Sequence, residues 1–141
     1  MRDLATPPRS VAVEPSRGLL FWSQWTTGDT RGRGAISSSW GDGSHATTLV
    51  SGLQWPGGLA LAPDHAWLYW VDSRAGTVER VSYRGRGGAR QLLTPTSNTP
   101  YGLTLTLDTN TGMGGNFTRK RCLQAPSLFF SSIVKADANL C

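Results

Sequence analysis

The sequence predicts an all-β fold made of repeated four-stranded units, and three observations carry that expectation. First, the apolar runs are short. Leu59–Leu61 and Trp67–Val71 flank a Pro63-Asp64 turn, and both are rich in aromatic and branched residues and bounded by Gly and Pro. Such runs form strands, since a helix needs a longer amphipathic stretch. Second, the same pattern occurs earlier, from Pro8 to Gln24, and begins again at Pro100–Asp108. Third, the 141 residues include 17 Gly, 8 Pro and 6 Trp, and Gly or Pro interrupts every candidate helix.

The proline ahead of each first strand sets the origin of the repeat. Pro8, Pro56 and Pro100 are spaced roughly 48 and 44 residues apart, near the ~40–50-residue period of four-stranded propeller blades. In the first unit Ser10–Val13 is the expected inner strand, with Val11 and Val13 on one face. Pro15–Gly18 turns the chain into Leu19–Trp22, and a Gly- and Arg-rich excursion, Thr26–Gly34, precedes a third strand near Ala35–Trp40. Gly41-Asp42-Gly43-Ser44 then leads to the outer strand, Thr47–Val50. The second unit repeats this as Gly58–Leu61, Trp67–Val71, Thr77–Tyr83 and Arg90–Leu93, with Arg84–Gly88 as its last turn. The expected organisation is a first blade over 8–50, a second over 51–93, the start of a third over 94–112, and an unrelated, flexible tail over 113–141.

Charge and hydropathy narrow the class. The net charge of +5 is carried mostly by Arg. No segment approaches the ~20 apolar residues that cross a bilayer. The opening residues, Met1–Ser10, lack the apolar run of a secretory signal. The expectation is a soluble chain that carries no address of its own.

Four motif types, at matching offsets, resemble the YWTD (class B) repeats of the low-density lipoprotein receptor family. They are Tyr69-Trp70-Val71-Asp72, the weaker Phe21-Trp22-Ser23-Gln24, the run Trp55-Pro56-Gly57-Gly58-Leu59, and Gly41-Asp42-Gly43-Ser44. The first unit, with its arginine-rich insertion before Trp40-Gly41-Asp42-Gly43-Ser44-His45, looks most like a blade of the large endocytic receptor-related proteins, of the low-density lipoprotein receptor-related protein 1 type. The resemblance covers roughly residues 8–108 and implies a six-bladed β-propeller, of which this chain holds about two blades and the start of a third. The sequence following Gly112 does not share it.

Blade physics gives the structural residues their roles. Each sheet face must be covered by a neighbouring blade, and Phe21, Trp22, Tyr69 and Trp70 are candidates to fill that gap, each burying ~150–250 Å². Gly58 and Gly102 lie beside the inner strands, where a Cβ would crowd the next backbone. The resemblance also implies that the acid closing the four-residue motif pairs with an arginine on the next strand. The second unit has both partners, Asp72 and Arg80, and the first has neither, since Gln24 and Ser38 stand there. Joint loss is what a folded blade tolerates, because removing one half of a buried pair costs ~3–5 kcal/mol whereas replacing both is often near neutral. An Asp72–Arg80 contact is therefore expected, with two solvated surface charges as the alternative. With fewer blades than closure requires, Leu105 and Leu107 are expected to lack a second strand, and the molecule to be a marginally stable, association-prone, truncated or alternatively ended product of a larger receptor gene.

In the tail, Gly112–Gly115 reads as a joint, Arg119-Lys120-Arg121 as a basic knot, and Leu128–Val134 as an apolar run too short to span a membrane. Asn116-Phe117-Thr118 fits a glycosylation sequon, relevant in a secreted glycoprotein. Cys122 and Cys141 either close one loop in an oxidising compartment or stay free. Catalysis has little support. Asp42, Ser44 and His45 are adjacent on a turn, which is not triad geometry, and there is no nucleophile elbow. No Cys/His spacing suits zinc, and Asp29, Asp42, Asp64 and Asp72 are scattered over separate turns rather than forming a calcium loop. No cofactor is expected, and the resemblance implies that calcium belongs to cysteine-rich modules absent here.

Arg31-Gly32-Arg33-Gly34 and Arg84-Gly85-Arg86-Gly87-Gly88 resemble fragments of RNA-binding RGG tracts, but they fall where the repeat needs solvated loops. They suit a polyanion such as heparan sulfate better than a nucleic acid. By resemblance the chain is a non-catalytic ligand-binding or structural propeller segment of an endocytic lipoprotein-receptor-like ectodomain, at the cell surface or outside the cell, with protein ligands. The alternative is a standalone extracellular-matrix or secreted interaction module of the same propeller family. His45 and His65 are the only side chains whose unperturbed pKa lies in the endosomal range, and neither has a recognisable partner for acid release.

Overall fold

A computed structural model describes residues 6–26, 33–84, 88–96 and 102–105, and the backbone of 106 and 133–137. The strands are β1 Pro8–Glu14, β2 Leu19–Gln24, β3 Gly34–Trp40, β4 Thr47–Leu53, β5 Pro56–Ala62, β6 Trp67–Asp72, β7 Thr77–Ser82, β8 Gln91–Pro95, β9 Gly102–Thr106 and β10 Ile133–Asp137. They form two four-stranded antiparallel sheets, β1-β2-β3-β4 and β5-β6-β7-β8, and a two-stranded sheet of β9 and β10. This is the architecture of a partial β-propeller.

The two sheets repeat each other in detail. Phe21 pairs with Ala12 and Ser38 as Tyr69 pairs with Ala60 and Arg80. The inner strand slips register just after its leading proline in both, between Pro8 and Ser10 and between Pro56 and Leu59. A proline cannot donate to the ladder, so a bulge beside it is the natural outcome. Both β1–β2 and β5–β6 are joined by a short 3-10 turn, Pro15–Arg17 and Pro63–His65, ending in a left-handed residue, Gly18 (φ 63°) and Ala66 (φ 53°).

Side chains alternate across each sheet, and the facing sides share one core. Phe21, Ile36, Val50 and Leu53 of the first sheet meet Leu59, Leu68, Trp70 and Val81 of the second. Phe21 lies 4.9 Å from the Tyr83 ring at 53°. Inner strands adjoin in succession, β1 beside β5 and β5 beside β9. Polar contacts also tie the sheets: the Ser23 hydroxyl donates to the Gly57 carbonyl (2.9 Å), and the Leu59 N–H donates to the Ser10 hydroxyl (3.2 Å).

Gly58 sits at the convergence of inner strands. A Cβ there would lie 2.8 Å from the Leu103 nitrogen and 2.9 Å from the Gly102 Cα. Gly34 is as constrained, since a Cβ would lie 2.5 Å from Pro56 Cδ and 2.7 Å from the Leu53 carbonyl oxygen.

The third unit departs from expectation at one point. Leu105 does not lack a neighbouring strand: β9 pairs with β10 in parallel, with Gly102 opposite Ile133 and Leu105 opposite Ala136. A strand edge presents unpaired N–H and C=O groups, and here five residues from far along the chain satisfy one side of it. Leu107, Asn116, Cys122 and Cys141 lie outside the described residues.

Candidate functional site

Connections alternate between the two ends of the sheets, so each end collects a different set of side chains. One end gathers the start of β1, the end of β2, the β4–β5 link and the β6–β7 turn. Here Trp25 and Trp55 stack with ring centroids 4.9 Å apart and planes within 16°. The Arg9 guanidinium lies 4.4 Å from the Trp25 ring centroid, and that of Arg74 lies 5.3 Å from the Trp55 ring centroid. Arg9 and Arg74 are exposed and the two tryptophans half-buried. Each ring is thus engaged by its neighbour and by one cation, contacts worth about 0.5–1.5 kcal/mol apiece.

Asp72 holds this surface from beneath. It is fully buried, and its carboxylate accepts the backbone N–H of Gln54 (2.7 Å), Trp55 (2.9 Å) and Ala75 (3.1 Å). The Ser73 N–H donates in turn to the Trp55 carbonyl at 3.0 Å. The acid that closes the Tyr69–Asp72 motif therefore fixes both the link carrying Trp55 and the turn carrying Arg74. An ionised carboxylate with several N–H donors is well solvated by the protein itself.

The expected Asp72–Arg80 pair does not form. Asp72 stands opposite Thr77 and Tyr69 opposite Arg80, so the pleat puts Arg80 on the other face of the sheet from Asp72. Arg80 instead donates from Nε to Gln91 (2.9 Å) and from Nη1 to the Tyr69 hydroxyl (3.4 Å), and its guanidinium lies 4.2 Å from the Trp67 ring centroid. The ion pair described in this sheet is a different one, between the buried Glu79 and the more exposed Arg90, with the Thr77 hydroxyl also donating to Glu79 at 2.7 Å. Glu79 raises the Arg90 pKa above its ordinary value. In the first sheet Ser37 and Ala46 stand at the corresponding positions, so both partners are absent together.

Among the aromatics, Trp70, Tyr69 and Phe21 are completely buried or nearly so, and Trp22 is half-buried, with its indole N–H on Gln24 (3.0 Å). Sequence reasoning missed Arg9, Trp25 and Arg74. Trp25 and Trp55 lie just outside strands in sequence, and only the fold brings residues 30 apart into stacking contact.

The opposite end is mixed in charge. Glu14, buried, accepts from the Ser16 hydroxyl (2.5 Å) and N–H (3.1 Å) and from Arg17 (2.9 Å), which hold its carboxyl below the usual range. Asp42 accepts from the Ser44 hydroxyl (2.6 Å) and N–H (2.8 Å), and its carboxyl is likewise lowered. His45 Nδ1 is 3.1 Å from the Ser44 hydroxyl, while its ring lies 4.2 Å from that of Trp40. The acid engages the serine rather than the histidine, which is not the order a nucleophilic triad needs. His65 ends the neighbouring 3-10 turn. Of the two Arg-Gly stretches, Arg33, Gly34, Arg84 and Gly88 are described, while Arg31, Gly32, Gly85, Arg86 and Gly87, like Asp29, lie outside the described residues. Among the described residues, no cluster of His, Cys, Asp or Glu is placed to hold a metal ion, and no helix is long and apolar enough to cross a membrane.

No family model matches the chain. Over 99 residues, 70% of its length, it is 38% identical to the vitellogenin receptor Yl of Drosophila melanogaster. Over 76 residues, 53% of its length, it is 33% identical to the low-density lipoprotein receptor-related protein 5-like protein of Homo sapiens. The chain spans 5% of the first relative and 28% of the second. Among solved structures it superposes on a chain of the nidogen/laminin complex with a TM-score of 0.58 and 28% identity, covering 67% of this chain and 34% of that one. A luciferin-regenerating enzyme, at 17% identity and a TM-score of 0.54, shares the fold alone. The repeats of this chain are accordingly YWTD repeats of the kind carried by the low-density lipoprotein receptor family.

Proposed function

We propose that the chain is a non-catalytic segment of an endocytic, lipoprotein-receptor-type ectodomain that binds protein ligands outside the cell. The observation that carries this reading is the similarity to a vitellogenin receptor, at 38% identity over 99 residues. The arginine–tryptophan surface, with Arg9 and Arg74 exposed and both rings half-buried, supplies a place for a ligand to dock. Within this reading the blades cover roughly 8–50 and 51–93, Trp22 and Gly102 serve blade-to-blade packing, and Asn116 is a glycosylation site. Assignment to the receptor-related protein 1 type rests on the arginine-rich insertion of the first unit and the Trp40–His45 run that follows it. A polyanion such as heparan sulfate is a further proposed partner of the arginine-rich stretches.

The test is direct binding of vitellogenin and of lipoprotein particles to the immobilised chain by surface plasmon resonance. Saturable binding is expected, weakened by Trp25→Ala. Absence of binding to either class would end the receptor reading. A second reading, a module of the extracellular matrix, is favoured by the likeness to the nidogen/laminin structure. Binding to laminin but not to lipoprotein would select it.

A further inference from the structure

We infer that the Arg9–Trp25–Trp55–Arg74 stack is a docking site for an extended acidic segment of a protein ligand. The inference rests on the ligand-binding reading above and names the chemistry of the partner. Among the described residues, carboxylates are divided unevenly between the two ends of the sheets. Glu14, Asp42 and Asp64 all belong to the end opposite the stack. Glu79 is buried against Arg90. At the stack the described carboxylate is Asp72, and it is buried and occupied by three backbone donors. Among the described residues no carboxylate engages Arg9 or Arg74.

A guanidinium lying over a ring keeps its N–H edge clear of that ring, and the edge matches a carboxylate in a bidentate pair. Two such edges stand at opposite ends of a pre-stacked pair of indoles. An acidic segment with carboxylates on either side of an apolar residue fits both, the apolar residue lying along the exposed margins of Trp25 and Trp55. The surface is ordered in advance, because Asp72 pins the Trp55 link and the Arg74 turn, so little ordering entropy is lost on docking. Nucleic acid fits less well. Base stacking needs a free aromatic face, and each ring is already engaged by the other ring and by a guanidinium.

The probe is a fluorescein-labelled decapeptide of glutamates around a central leucine, followed by anisotropy with the full chain. Binding is expected, and Arg9→Gln and Arg74→Gln should each weaken it about tenfold, with melting temperatures lowered by no more than the few degrees that loss of one cation–π contact costs. Arg84→Gln, at the far end, should leave it unaltered. Peptide affinity indifferent to the Arg9→Gln/Arg74→Gln double substitution would overturn the inference, as would tight binding of a heparin oligosaccharide without peptide binding. If vitellogenin or lipoprotein binds and the peptide does not, the acidic-segment inference fails while the receptor reading stands. If none of them binds, both fail.

Discussion

Trp22 and Trp70 hold the same position in successive sheets, yet Trp70 is completely buried and Trp22 only half so. Trp22 stands between Val11 and Ser37, and Trp70 between Leu59 and Glu79. The first sheet covers Trp70, and among the described residues no sheet covers the face of Trp22. Val11 and Val13 on that face are 58% and 55% exposed. The double substitution Val11→Lys/Val13→Lys should therefore reduce self-association while changing stability by less than about 0.5 kcal/mol. Light scattering across a concentration series, together with urea midpoints, checks this. Association that is unchanged in the variant would place the sticky surface elsewhere.

Asp72 is the acceptor for two links of the chain at once. Asp72→Ala should cost about 3 kcal/mol, since it leaves three backbone donors without their charged partner. Asp72→Asn, which retains one amide oxygen, should cost roughly half that. Near-ultraviolet circular dichroism should show the Trp25–Trp55 coupling weakened in both. A retained signal in Asp72→Ala would mean that the stack is held by its own contacts.

Two glycines separate conformational strain from collision. Gly18 has φ 63° with open space around its missing Cβ, so Gly18→Ala should cost about 1–2 kcal/mol from the left-handed backbone alone. Gly58→Ala drives a methyl into the β9 backbone and should reach about 3 kcal/mol, the upper end of overpacking. Chemical denaturation distinguishes them further: Gly58→Ser should be worse than Gly58→Ala, whereas Gly18→Ser should match Gly18→Ala.

The Glu79–Arg90 pair gives a test built on the repeat itself. Arg90→Ala leaves a buried carboxylate alone. The Arg90 side chain is 42% exposed, so the cost should be about 2 kcal/mol, below the range for a fully buried pair. Glu79→Ser/Arg90→Ala, which copies the Ser37 and Ala46 of the first sheet, should recover most of that loss. A double-mutant cycle by urea unfolding measures it.

Glu14 predicts the acid limb of stability. Hydrogen bonds from Ser16, then Arg17, hold its folded pKa below the ordinary 4.5. A depressed carboxyl contributes stability that is fully present above 4.5 and is lost as the pH falls through the folded value. Denaturation midpoints should decline on acidification through that window, and Glu14→Gln should flatten the decline.

Much of the fold was legible because a strand announces itself locally. Short aromatic runs between Gly and Pro placed β1 to β8 within a few residues, and a repeat near the blade period predicted stacked sheets. The sequence also singled out Gly58, whose neighbour across the inner strands is backbone whatever the side chains are. Contacts between strands were harder to read. Offset counting paired Asp72 with Arg80, but the pleat sends them to opposite faces, and the acid serves loop amides that bear no mark in the sequence. The parallel pairing of Gly102–Thr106 with Ile133–Asp137 is equally invisible to local pattern, since it joins distant stretches.

What the sequence determined alone is therefore the repeat: where strands start and stop, and which residues carry the apolar faces. The tertiary structure decided which tryptophans are core and which are surface, and which arginine each acid meets. Local propensity acts within a few residues along the chain, whereas Trp25 meets Trp55, and Trp70 leaves water, only when separate sheets and links come together in space.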